Sequence, residues 1–188
     1  VLLGCSEDPR KGYSFASTFP AGVRSVSVPV FENATYDSGL ENELTEAVIK
    51  STGGAAHVTA GQVGELANAL AAKTGIDDEV IQSGENVLAT FTNIRNETGK
   101  GNDIFNQATT AAVDLSAALG QDMQSSVIQL GKALNDPIKG VTALQRVGVS
   151  FTAQQKDQIA TLVKSGNVLG AQKIILGELN KEFGGAAA

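Results

Sequence analysis

The chain has 188 residues, with 20 Asp and Glu against 14 Lys and Arg, and its formal charge of -6 disfavours binding to phosphate backbones. Hydrophobic residues make up 42% of it but aromatics only 5%, so a core has to be built from Ala, Leu, Ile and Val, which suits close-packed helices better than a β-sandwich. One Cys excludes an internal disulfide, and no apolar run approaches the ~20 residues that span a bilayer.

Val1-Leu2-Leu3-Gly4-Cys5 reads as the end of a lipoprotein signal peptide, in which small or apolar residues precede a Cys that takes a diacylglyceryl group. The charged n-region and most of the apolar h-region are missing, and a free, partly buried Cys is the alternative reading. Glu7 to Gly12 is polar and turn-rich, as a tether would be. Val23 to Phe31 alternates with a period of two and predicts a half-buried strand, which Pro29 makes an edge or ends. Ser38-Gly39-Leu40-Glu41 is a capping box, and it opens a helix to about Ser51 with Leu40, Leu44, Ala47 and Val48 on one face. The run GYSFASTFPAGVRSVSVPVFENATYDSGLENELTEAVIK, behind Gly4-Cys5, is similar to the start of the LPS-assembly lipoprotein family (LptE). That resemblance implies Cys5 as a lipidation site and a small α/β sandwich plugging an outer-membrane translocon barrel. Only one strand and one helix of that sandwich are present, too few for a stable sheet domain.

Ser51 to Gly61 (STGGAAHVTAG) is small and aperiodic, and predicts a linker in which His57 is solvated. Beyond it the pattern is helical throughout. Gln62 to Lys73 carries Val63, Leu66, Ala67, Leu70 and Ala71 at helical spacing, stopped by Thr74-Gly75. Asp77 caps the next helix, whose stripe is Val80, Ile81, Val87, Leu88 and Phe91, to about Ile94; Gly84 interrupts it at a cost in propensity. Asn96 to Gly101 is a loop. Asn102 or Asp103 caps a helix whose stripe is Ile104, Ala108, Ala111, Ala112, Leu115 and Leu119, closed by Gly120. Asp122 opens a helix with Met123, Val127, Leu130, Gly131 and Leu134 inward. Asp136-Pro137 starts another to Val147, with Ile138, Val141 and Leu144 inward. Val149 and Phe151 fit a brief extended bridge. Thr152-Ala153-Gln154-Gln155 is a capping box for Ala153 to Lys164, which offers Ile159, Leu162 and Val163. The last helix, Val168 to Phe183, offers Ala171, Ile175, Leu176, Leu179 and Phe183.

KALNDPIKGVTALQRVGVSFTAQQKDQI, with NVLATFTNIRNETGKGNDIFNQA upstream and LGAQKIILGELNKEFGGAAA downstream, resembles the tail tape measure protein family of long-tailed bacteriophages, over roughly Gly61 to Ala188. The resemblance implies a structural role in tail length determination and assembly. It also implies passage out of the tube during DNA delivery, and as partners tail tube subunits, tail assembly chaperones and further copies of the same chain. A ruler is an extended helix at about 1.5 Å per residue. The frequent helix breaks predict instead a globular or refoldable portion of such a protein.

Chemistry is hard to find in the sequence. Asp77-Asp78-Glu79 is a helix start, and Glu178 with Glu182 sits on an exposed face beside Lys181; neither forms the pocketed carboxylate that acid–base work needs. Cys5 and His57 have no orienting partner, and one His with one Cys makes no metal site. Gly99-Lys100-Gly101 lacks the rest of a phosphate loop. Lys132, Lys139 and Arg146, seven apart, read as a solvated face. The sequence therefore predicts a mainly α protein, a compact bundle of short helices with a small N-terminal strand–helix piece. Its expected parts are a lipoprotein-like segment (1–51), a linker (52–61) and a helical tape-measure-like domain (62–188). No catalytic, cofactor or metal residues are expected, nor nucleic acid, and a membrane only through lipidated Cys5. The expected location is the phage tail, or the host cytoplasm during assembly. The alternative is an outer-membrane lipoprotein.

Overall fold

The computed structural model describes residues 40–188. Cys5, the strand expected at Val23–Phe31 and the capping residues Ser38-Gly39 lie outside the described residues. Among those described the protein is a bundle of eight short helices: α1 (Leu40–Ser51), α2 (Ala60–Thr74), α3 (Asp78–Leu88), α4 (Ile104–Leu119), α5 (Met123–Asn135), α6 (Pro137–Gln145), α7 (Ala153–Lys164) and α8 (Val168–Phe183). The longest, α4 and α8, have 16 residues each, about 24 Å of helix.

Local chemistry sets most of these boundaries. The Thr152–Gln155 capping box forms as expected, the Gln155 amide donating to the Thr152 hydroxyl and the Thr152 amide to Gln155 Oε1 (3.2 and 2.8 Å). Asp122 accepts the Ser125 amide at 2.7 Å to open α5, and Asp77 accepts the Glu79 amide at 2.9 Å to open α3. Gly120 closes α4 in the left-handed conformation at φ 62°, which only glycine enters without cost. At Asp136-Pro137 the chain breaks: Asp136 ends α5 and caps α6, with Pro137 as its first residue.

Packing runs from neighbour to neighbour. α2 lies against α1 and α3, and α3 against α1, α2, α4 and α5. α5 also meets α4 and α6, and α8 meets α4, α6 and α7. One continuous core joins them, with Phe105, Ile81, Leu88, Leu130, Leu144 and Ile175 among its fully buried side chains. Glycines let the helices close up. A Cβ on Gly131 of α5 would sit 2.6 Å from Phe91 Cδ2, and one on Gly140 of α6 would collide with the Ala133 backbone.

Several expectations give way to tertiary packing. Leu40 and Leu44, expected inward, are 65% and 56% exposed; α1 instead buries Thr45, at 1%. Thr45 donates to the Glu41 carbonyl and accepts from Gln82 of α3, so this face brings a hydrogen bond to the junction that leucines could not. Ile138 and Val80 (47% each) and Leu119 (37%) also face out. α3 stops at Leu88 rather than near Ile94, and Ile94 is fully buried from a loop. Val149 and Phe151 are buried but form no bridge; the isolated bridge present joins Asn96 and Asp103. The stretch read as a linker folds into turns that bury Ala56 and Val58, and α2 begins at Ala60 behind an unforeseen capping box of Thr59 and Gln62. His57 there is held at φ 54°, its Nδ1 3.1 Å from the Asn96 carbonyl.

Candidate functional site

The most unusual chemistry lies on α3. This helix is enclosed on most of its circumference, burying Ile81, Gln82, Gly84, Glu85, Asn86 and Leu88. Gln82 is satisfied by α1, donating to Thr45 Oγ1 at 3.1 Å and Asn42 Oδ1 at 3.4 Å. Glu85 is not. It is 1% exposed and neither carboxyl oxygen has a hydrogen-bond partner. Burial pushes its pKa from 4.5 to about 8, against a smaller downward pull from the Thr109 hydroxyl of α4. Thr109 lies close enough to act on the carboxyl, but its proton is directed to the Phe105 carbonyl at 3.1 Å. Asn86 Oδ1 is likewise buried and unpartnered.

A second feature is a groove of about 550 Å³ between α4 and α8, with Leu66 of α2 at its edge. Its lining includes Asn106, Thr110 and Asp114 from α4 and Lys173 and Asn180 from α8. Much of its polarity is already engaged. Asp114 accepts the amides of Gly185 and Ala187 at 3.0 and 3.2 Å, tying down the chain beyond α8. Lys173 donates to Asn102 Oδ1 at 2.5 Å, which pins the loop holding Gly99-Lys100-Gly101 to α8. Asn96 Oδ1 accepts the amides of Phe105 and Asn106, capping α4 from a distance while Asp103 makes no side-chain cap.

The carboxylates singled out in the sequence act as structural ties. Glu178 is 7% exposed, not on an open face as expected. It accepts from Lys181 Nζ (2.9 Å) and from Gln155 Nε2 of α7 (2.7 Å), and both hold its pKa below the usual range, Lys181 first. Glu182 accepts the Ser150 amide at 2.8 Å, fastening the loop before α7 to α8. Lys132, Lys139 and Arg146 are all exposed, and Lys139 pairs with Asp136 at 3.0 Å. Among the described residues no group of three or more His, Cys, Asp or Glu is placed to hold a metal ion, and no helix is long and apolar enough to cross a membrane.

Sequence reasoning passed over Glu85, Asn96, Asp114 and Gln172. Gln172 is 2% exposed and donates to the carbonyls of Asn93 (2.8 Å) and Leu134 (3.1 Å). A signal existed for two of them. Ile81, Glu85 and Leu88 are spaced i, i+4, i+7, as are Gln172, Leu176 and Leu179, so each polar residue stands in an apolar stripe.

The fold and its ties define a helical structural unit, its polar groups used to join helices. A family profile described as prophage tail length tape measure protein matches residues 12–171. That span is most of the chain, and the chain belongs to this family, whose members are structural proteins of the phage tail. None of the curated proteins and none of the solved structures compared with it matches. The matched span begins at residue 12, not near Gly61, so it takes in most of the segment read as lipoprotein-like. The resemblance to the LPS-assembly lipoprotein family finds no support, nor does the outer-membrane location.

Proposed function

We propose that this chain is a folded, refoldable portion of a tail tape measure protein, a protein that acts in tail length determination and assembly, and that this portion serves assembly without being a stretch of the extended ruler. The observation that carries the reading is the punctuation of the helices: none among the described residues exceeds 16 residues, and caps or glycines end most of them. A continuous helix over the same residues would measure about 220 Å at 1.5 Å per residue. Tail tube subunits, tail assembly chaperones and further copies of the chain are its proposed partners, and ejection with the DNA its proposed fate.

In-frame removal of residues 40–188 from the prophage gene, and tandem duplication of the same residues, test this by electron microscopy of the tails. Unchanged length in the tails formed by either variant is expected. A shortening or lengthening near 220 Å would make the segment part of the ruler and end this reading.

A further inference from the structure

We propose that Glu85 is a proton-dependent latch on the seam between α3 and α4: its neutral carboxyl sits in the closed bundle, and its loss of the proton to solvent is coupled to α3 lifting away. The geometry carries this. Glu85 lies on the helix packed against α1, α2, α4 and α5, is 1% exposed, and has no hydrogen-bond partner at either oxygen. The Thr109 hydroxyl of α4 is the one side-chain group that acts on the carboxyl. A carboxylate would need the hydroxyl's proton, which goes to the Phe105 carbonyl. An ionised carboxylate in such a place is far costlier than the neutral acid, and water cannot relieve it while the seam is shut.

No charged neighbour offsets that cost. α2 carries Glu65 and Lys73, α5 carries Lys132, and all three are exposed. Asp114 of α4 is occupied by the amides of Gly185 and Ala187. On α1, Glu43, Glu46 and Lys50 are exposed and Glu41 is half-buried. None of these acts on Glu85, whose shift has only burial and the Thr109 hydroxyl as causes. The Asn86 oxygen on the same helix is also buried and unpartnered, a second uncompensated polar group on α3. The latch belongs to the fold and holds whatever the unit does in the tail.

Amide hydrogen exchange on the full 188-residue chain, corrected for intrinsic rates, tests it at pH 5, 6.5 and 8. The opening constant for Ile81–Leu88 is expected to rise up to about tenfold per pH unit across that range, while Val127–Leu134 of α5 does not follow. In Glu85→Gln the α3 dependence should vanish. Carbon NMR titration of the wild-type Glu85 carboxyl gives a reading independent of any variant, with a midpoint near 8 expected. A midpoint near 4.5, α3 and α5 opening in parallel, or a pH slope that survives in Glu85→Gln would each overturn the latch.

Discussion

α3 and α5 lie side by side in the bundle, and both bury most of their surface, yet their interiors are built from different materials. α5 turns Met123, Val127, Leu130 and Leu134 inward. Its buried Ser126 is satisfied, accepting from Gln121 at 2.8 Å and donating to the Asp122 carbonyl at 3.2 Å; an unpartnered oxygen appears only at its last residue, Asn135. α3 turns in Ile81 and Leu88 but also Gln82, Glu85 and Asn86. The difference teaches where an enclosed helix gains its stability. α5 is held by apolar area removed from water, whereas α3 is held by its neighbours against the cost of its own polar groups.

The comparison can be broken most decisively at α5. Leu130→Ala removes a fully buried side chain from the centre of the core and is expected to cost roughly 2–5 kcal/mol in a denaturant melt, from lost transfer energy plus the cavity. A cost below about 1 kcal/mol would mean that α5 is not the better-packed partner. At α3 the sign reverses. Glu85 has a folded-state pKa raised from 4.5 to about 8, so its contribution to stability is most favourable below about pH 4.5, falls as pH rises through that window, and is flat above it. Glu85→Met should abolish this slope and leave the variant the more stable protein at pH 8, by on the order of a few kcal/mol. Urea melts at pH 5 and pH 8 read both effects, and a wild-type stability equal at the two pH values would remove the contrast.

Two glycines sharpen the comparison with smaller effects. Gly131→Ala in α5 forces a methyl against the half-buried Phe91 ring and should cost about 1–3 kcal/mol, because the ring lies directly over the glycine and has to shift to make room. Gly84→Ala in α3 meets Met123 Cε at 3.0 Å and Val127 Cγ2 at 3.1 Å. Met123 is flexible and the helix gains about 0.8–1 kcal/mol of propensity, so the net change should stay within about 1 kcal/mol of zero. Thermal melts of the pair, run together, should rank Gly131→Ala well below Gly84→Ala. The reverse order would show that the α3–α5 contact is tighter than the seat of Phe91 against α5.

How much of this was readable in the chain depends on which interaction sets each feature. The Thr152–Gln155 box, Asp77, Asp122, Asp136-Pro137 and Gly120 were all read in the sequence, because a cap is decided within one turn of helix. The inward residues of α5 were read for the same reason: a helix with one apolar stripe has one way to turn. α1 misled the reading, since its leucines at 40 and 44 form a stripe that the packing leaves in water while Thr45 is buried. Residues 52–59 misled it too, because Gly and Ala look like a flexible link until a neighbouring helix supplies the surface that buries Ala56 and Val58. Gln172 onto two carbonyls and Glu182 onto Ser150 join residues far apart in the chain, and Asn96 reaches α4 across a loop, so none of these ties leaves a local mark.

The chain by itself determined that this is a helical protein, where most of its helices start and stop, and the family to which it belongs. Those properties rest on capping groups, glycines and motif order, which act over a few residues. Only the tertiary structure decided which face of α1 is buried, that the supposed linker belongs to the core, and that Glu85 is sealed away without a partner. Burial is a property of the neighbours a residue acquires, and those neighbours come from other helices.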